Sequence, residues 1–169
     1  KYLESINLIN LGCINMDQND TLNAIELFDE SMSISEKHGY TANLIPALYY
    51  KGEALNKSGD YNNALVNFRR SVEFGFEAGI DFFLWKIILG MGISYFNIDQ
   101  HQRSAGHFAC VYNAYEISSI NFGKSNRDEL KMYLERLRGI LGNEELNNIV
   151  KSKERIEKDE MIRYVLGNK

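Results

Sequence analysis

The fold is decided by residues 48–72, LYYKGEALNKSGDYNNALVNFRRSV. Segments in the same register lie forty residues earlier and forty residues later, at residues 8–32 and 88–112. Four columns recur in all three segments: a large aliphatic residue at Leu8, Leu48 and Ile88, a glycine at Gly12, Gly52 and Gly92, a small residue at Ala24, Ala64 and Ser104, and a phenylalanine at Phe28, Phe68 and Phe108. This recurrence predicts three copies of one supersecondary unit.

The spacing within each copy predicts a pair of helices. The aliphatic residue and the glycine are four residues apart, as are the small residue and the phenylalanine, so each pair shares one helix face. Because a helical glycine costs up to about 1 kcal/mol relative to alanine, its recurrence indicates close approach by a neighbouring helix. Turn residues separate the two patterns, at Asn19-Asp20, Gly59-Asp60 and Asp99-Gln100. Glycine ends helices and aspartate caps them, so each copy is predicted to be a helical hairpin that stacks on the next.

The predicted helices and repeats follow from these patterns. The six helices cover residues 2–17, 20–38, 42–58, 60–78, 81–98 and 101–119, and the three repeats cover about 5–40, 45–80 and 85–122. Pro46 is expected in the first turn of its helix, where a missing N–H is tolerated.

Beyond Gly123 the repeat pattern loosens. Leu130, Leu134, Leu137 and Leu141 predict a seventh helix, and Leu146 and Val150 predict an eighth. The charged segment KSKERIEKDEMIRYVLGNK, residues 151–169, predicts a long, mostly solvated helix that either caps the array or docks another domain.

Residues 48–75 resemble a tetratricopeptide (TPR) motif. The resemblance is carried by Leu48, Gly52, Leu55, Gly59-Asp60-Tyr61, Ala64, Phe68 and Ser71. It covers roughly residues 5 to 122, with copies longer than the usual thirty-four residues; bacterial TPR regulators have similar long repeats. The first copy departs from the pattern at Asn15, the third at Ser104, and both lack the Gly-Asp turn. The resemblance implies an all-α fold: an α-solenoid of three TPR-type hairpins over residues 1–122, then a degenerate fourth hairpin and capping helix over 123–169.

Composition limits the class of protein. A net charge of −4 argues against a nucleic-acid-binding surface, which needs a basic stripe. No apolar run is long enough to span a membrane and no signal peptide is visible, so we expect a cytoplasmic protein. The chain starts at Lys1 and enters a helical pattern at once, which suggests a fragment of a longer protein. Cys13 and Cys110 are expected to be buried, reduced thiols.

No motif in the sequence indicates catalysis. His38, His101 and His107 lack partners at metal-ligand spacing, and Gly90-Met91-Gly92 fits a packing site better than a phosphate loop. Acidic pairs such as Asp29-Glu30 are typical of solvated helix faces. We therefore expect no catalytic residue, no metal and no cofactor, and a protein that is not an enzyme.

The TPR resemblance implies that the first helix of each hairpin lines a concave, ligand-binding side. The residues of these helices that turn away from the packing face are Ile9, Cys13, Met16, Tyr49, Glu53, Asn56, Lys86, Leu89, Ile93 and Phe96. The apolar members of this set suit a core role equally well. Tyr49 and Phe96 are the predicted anchors, because aromatic residues carry much of interface energy. Glu53 and Lys86 would orient the ligand.

The nature of the ligand follows from these positions. TPR proteins that clamp the carboxyl end of chaperones use Lys, Asn and Arg, whereas the corresponding places here hold Ile9, Cys13, Tyr50, Lys86 and Gly90. Only Lys86 fits that clamp, so the predicted ligand is an amphipathic helix or hydrophobic peptide.

Three functions stay open at this point. The chain is an interaction scaffold for a protein or peptide, the peptide-sensing half of a bacterial transcriptional or signalling regulator, or a self-association domain that forms a homo-oligomer. Self-association would use the apolar run Phe82-Phe83-Leu84-Trp85, which alternatively packs on the preceding hairpin.

Overall fold

The computed structural model describes residues 1–118 and 123–167, and over these residues the chain is all-α with no strand. Its helices are α1 Tyr2–Asp17, α2 Thr21–His38, α3 Thr41–Ser58, α4 Tyr61–Ala78, α5 Leu84–Asn97, α6 His101–Ser118, α7 Lys124–Leu141, α8 Asn143–Ser152 and α9 Lys158–Leu166. The predicted class, all-α with consecutive helical hairpins, is confirmed. The predicted ends of the sixth helix at residue 119 and of the third repeat at 122 lie outside the described residues.

Glycine and aspartate end and start the helices as the sequence predicts. Gly39 and Gly79 adopt left-handed conformations, with φ of 69° and 67°, immediately after α2 and α4. Asp20 and Asp60 cap α2 and α4, because their carboxylates accept hydrogen bonds from the third backbone N–H after them, at 3.4 Å and 3.3 Å. These caps satisfy backbone groups that the helix leaves without partners.

The turn inside each hairpin has one backbone conformation despite three different residues. Asn19, Gly59 and Asp99 occupy equivalent positions and have φ of 62°, 84° and 59°. Asn and Asp are the residues other than glycine that tolerate this left-handed region best. The first and third copies lack the Gly-Asp sequence, but their turns have the same backbone conformation as the turn of the second copy.

The chain divides into two compact units, residues 1–87 and residues 88–169. In the first unit α1 packs on α2 and α3 packs on α4, and the two hairpins stack because α3 also contacts α1 and α2. In the second unit α7 and α8 pack on each other and on α6. Leu130, Leu137 and Leu146 are fully buried there, as the predicted stripes of the seventh and eighth helices require.

The recurring glycine packs directly on the recurring phenylalanine in each hairpin. A Cβ atom placed on Gly12, Gly52 or Gly92 would lie 2.4–2.5 Å from the Cε1 atom of Phe28, Phe68 or Phe108, respectively. All three phenylalanine side chains are 0% exposed. Because these distances leave no room for a methyl group, the prediction that each glycine marks a close helix approach is confirmed.

Two predicted features of the helices are wrong. Helix α5 starts at Leu84 rather than residue 81, because a turn closes first, with the Leu84 N–H donating to the Asp81 carbonyl at 2.9 Å. Pro46 lies inside α3 rather than in its first turn, since that helix already begins at Thr41.

The C-terminal segment is not one long, solvated helix as predicted. Helix α8 ends at Ser152, and a separate α9 begins at Lys158. Met161, Ile162 and Val165 are 1–3% exposed, so α9 buries an amphipathic face instead of standing in solvent. Its Tyr164 ring reaches α6, where it lies 5.6 Å from the His107 ring.

Candidate functional site

Seven of the predicted ligand-binding residues lie in the first unit, and the structure separates them by exposure. Ile9 and Tyr49 are each 7% exposed, and Ile9 belongs to the core around Phe28. The other five keep half-buried side chains: Cys13, Met16, Glu53, Asn56 and Lys86. Only these half-buried members offer surface to a ligand.

An aromatic cluster connects the core of the first unit to its surface. The Tyr50 ring stacks on buried Phe28 at 5.9 Å. Phe83 contacts both neighbouring tyrosines, at 5.0 Å from the Tyr49 ring and 5.9 Å from the Tyr50 ring. Phe82 lies edge-on to Phe83 at 5.1 Å and is 79% exposed. The cluster therefore ends in an aromatic ring that solvent surrounds.

Residues of α1 extend this surface. Cys13, Met16 and Tyr50 are all half-buried and pack against the same core of the first unit. The Cys13 thiol and the Tyr50 hydroxyl lie close enough for each to shift the pKa of the other. We define the aromatic face as Cys13, Met16, Tyr50, Phe82 and Phe83, three segments of the chain that meet around one tyrosine.

The electrostatics of the aromatic face keep its titratable groups neutral at physiological pH. Burial raises the pKa of the Cys13 thiol, and the Asp17 carboxylate raises it further. Burial also raises the pKa of Tyr50, with added contributions from Cys13 and the nearby Glu53 carboxylate. Neutral thiol and phenol groups beside two phenylalanines suit an apolar ligand with a polar edge.

Local backbone geometry explains why Phe82 and Phe83 point to different environments. After α4 the Ile80 N–H donates to the Gly75 carbonyl at 2.8 Å, which reverses the chain. The following turn carries both phenylalanines before α5 begins, so Phe83 packs inward on the tyrosines while Phe82 stays outside. The alternative predicted for this run, packing on the preceding hairpin, therefore describes Phe83 and not Phe82.

The three remaining predicted residues lie in the second unit. Leu89 and Phe96 are 4% and 6% exposed, and Ile93 is half-buried. The Phe96 ring contacts Tyr133 of α7 at 5.1 Å, and the Arg136 guanidinium lies 4.3 Å from its centroid. Phe96 thus packs α7 against α5.

The histidines and Cys110 are held by structural contacts. His38 is exposed, and its ring stacks on Tyr40 at 5.4 Å. His107 is 3% exposed and lies between the Tyr95 and Tyr164 rings. Burial raises the pKa of the Cys110 thiol to about 11, which keeps this thiol protonated at neutral pH.

Within residues 1–118 and 123–167, no three His, Cys, Asp or Glu side chains gather where a metal ion could bind. Over the same residues, no helix combines the length and apolarity that crossing a membrane needs. Comparisons with protein-family models, curated proteins and solved structures found no match to this chain.

The sequence does not assign Phe82 to the ligand site, although the structure leaves its ring 79% exposed. The apolar run predicts self-association or packing for Phe82 and Phe83 and no ligand contact, because the repeat pattern selects residues inside helices and both lie in the link before α5. The sequence feature that could have indicated a binding surface is the apolar run itself, because polar residues are usual in a link between helices.

Proposed function

We propose that this chain is a TPR-type binding module that holds an apolar segment of a protein or peptide on its aromatic face. The observation that carries the proposal is Phe82, 79% exposed at the end of an otherwise packed aromatic cluster. Leaving a phenylalanine in water forgoes about 1.5–3 kcal/mol of burial energy. A ligand that covers this ring recovers that energy, which is how exposed aromatic anchors contribute to interfaces.

The surroundings of Phe82 support a preformed site. Phe82 lies edge-on to Phe83, whose ring contacts Tyr50, and Tyr50 stacks on buried Phe28. The base of the site is therefore packed before a ligand binds, which lowers the entropic cost of binding. Lys57 holds the end of α1 next to α3, since its Nζ donates to the Met16 carbonyl at 3.0 Å. An apolar surface with the Glu53 carboxylate near Tyr50 fits an amphipathic helix whose polar edge donates to that carboxylate.

A selection from a random peptide library tests the proposal. Peptides are selected on the full chain, synthesised with a fluorophore, and measured by anisotropy against Phe82→Ser. The matched control is Phe76→Ser, because Phe76 is also exposed, at 51%, but lies on α4 outside the cluster. We expect Phe82→Ser to raise the Kd of the selected peptide at least about tenfold, which is the effect of losing an interface hot spot. Phe76→Ser should leave that Kd within about twofold of the parent's. Equal effects of both variants, or no selected peptide at all, would contradict an aromatic-face receptor.

Self-association is the second candidate, and the same exposed ring favours it. A second copy of the chain would cover Phe82 as well as a peptide would. Sedimentation equilibrium over a wide concentration range separates the two functions. If the apparent masses of the parent chain and of Phe76→Ser rise to that of a dimer as concentration increases, while Phe82→Ser stays monomeric, the partner is another copy of the chain. A monomer at every concentration excludes this candidate.

A further inference from the structure

A cleft in the second unit lies between α6, α7 and α8. Its volume is about 500 Å³, within the range of about 300–1,000 Å³ that small-molecule sites occupy. Leu134 and Leu146 form the apolar floor and are 9% and 2% exposed. Half-buried Tyr112 and Val150 line the walls. The cleft therefore offers an apolar interior with one aromatic wall.

The rim of this cleft is formed by one charged face of α7. Lys131, Glu135 and Arg138 follow one another at helical spacings of four and three residues, and all three line the cleft. Glu135 and Arg138 form an ion pair, whereas no ion pair joins Lys131 to another residue within the described part of the chain. Two cations and one carboxylate leave one net positive charge at the opening, which attracts an anion.

The walls are fixed by polar contacts between helices. The Asn113 side chain on α6 donates to the Val150 carbonyl on α8 at 3.0 Å. Further along the same helices, the Gln102 amide lies 3.4 Å from the Glu145 carboxylate. A cleft braced by contacts of this kind keeps its shape without a ligand, which lowers the entropic cost of filling it.

We propose that this cleft binds a small amphiphilic carboxylate, with its apolar body on the leucine floor and its carboxylate at Lys131. The floor favours an aliphatic or aryl chain, and the net positive rim selects an anion over an amine of the same shape. Arg138 offers the ligand a second, weaker contact, because the Glu135 carboxylate competes with the ligand carboxylate for the Arg138 guanidinium. The class of ligand follows from the chemistry of the cleft lining alone. It does not depend on the proposed peptide site.

Octanoate, with octylamine as the cationic match and octanol as the neutral one, tests the inference. Each is titrated into the uniformly ¹⁵N-labelled full chain, and amide shifts are followed by NMR. We expect octanoate to shift residues of α7 and α8 with a Kd on the order of millimolar, as befits ten heavy atoms. Octylamine should bind at least about fivefold more weakly. No saturable shift with octanoate, or equal affinity for octylamine, would overturn the proposal.

Two substitutions with opposite expected signs separate binding from damage to the fold. Lys131→Gln removes the cation and should weaken octanoate binding by about fivefold or less, because one exposed ion pair contributes no more than that to affinity. Glu135→Gln removes the competing carboxylate and releases Arg138, so it should tighten octanoate by a similar factor. Lys124→Gln, at an exposed lysine outside the cleft, should change nothing. Weakening by both cleft variants, or an equal effect of Lys124→Gln, would refute the assignment.

Discussion

Gly52→Ala is the substitution that tests most sharply why a glycine recurs in each hairpin. The new methyl group would lie 2.5 Å from Phe68 Cε1, whereas carbon atoms pack best at about 3.5–4.0 Å. Phe68 is 0% exposed and cannot turn into solvent. Overpacking of this kind costs about 1–3 kcal/mol, and a tight, fully buried contact belongs at the upper end. The higher helix propensity of alanine offsets about 1 kcal/mol of this cost. We therefore expect the free energy of unfolding to fall by about 2 kcal/mol.

Urea denaturation followed by circular dichroism measures this loss. The matched control is Gly139→Ala on α7, where a new Cβ meets nothing within 4 Å and propensity alone should add up to about 1 kcal/mol. A second arm combines Gly52→Ala with Phe68→Leu. The smaller side chain makes room for the methyl group, so the double variant should lose less than the sum of the single losses, by about 0.5–3 kcal/mol. A Gly52→Ala protein as stable as the parent would refute the packing role of the glycine.

Three further perturbations follow from individual contacts. Gly59→Ala forces a Cβ into φ 84° and should cost about 1–2 kcal/mol, while Gly59→Asn should cost less because Asn19 already adopts this conformation; equal losses in urea melts would contradict this. Ser5→Ala removes the buried hydroxyl that bridges α1 and α2 at 2.7–3.0 Å and should lose about 1–2 kcal/mol, whereas an unchanged midpoint would show that the network contributes nothing. At pH 8 an Ellman assay should modify half-buried Cys13 well before Cys110, because a pKa of about 11 leaves about one thousandth of the Cys110 thiol ionised; equal rates in the folded protein would disprove the burial argument.

Much of the fold could be predicted because its signals are local. Period-four spacing identified the helices, and glycine and aspartate identified their ends, since capping acts within a few residues. The turn at Asn19 and Asp99 looked like a departure from the repeat, yet the backbone is the same. Helix α9 was misjudged because three apolar residues among many charges look like a solvated helix until a neighbouring surface buries them.

The candidate site was less predictable, because it depends on contacts across segments. Tyr49 was the predicted anchor from its position on α3, but Phe83 covers it from the next link, and the ring is 7% exposed. Tyr50, one residue later, contributes the half-buried ring instead. The cleft around Lys131 could not be predicted at all, since residues after Gly123 do not follow the repeat and their pairing with α6 has no sequence pattern.

Protection of Cys13 by a selected peptide would show that the aromatic face is the binding site, because this thiol lies on that face near Tyr50. The rate of Cys13 alkylation by iodoacetamide is measured by mass spectrometry across a titration of the peptide. Buried Cys110 is the control for unfolding, because it reacts only when the fold opens. We predict that the rate falls in proportion to bound peptide, and that the same peptide concentration protects Cys13 less in Phe82→Ser, which binds the peptide more weakly. An unchanged Cys13 rate at saturating peptide would place the ligand elsewhere and contradict the aromatic face as the binding site.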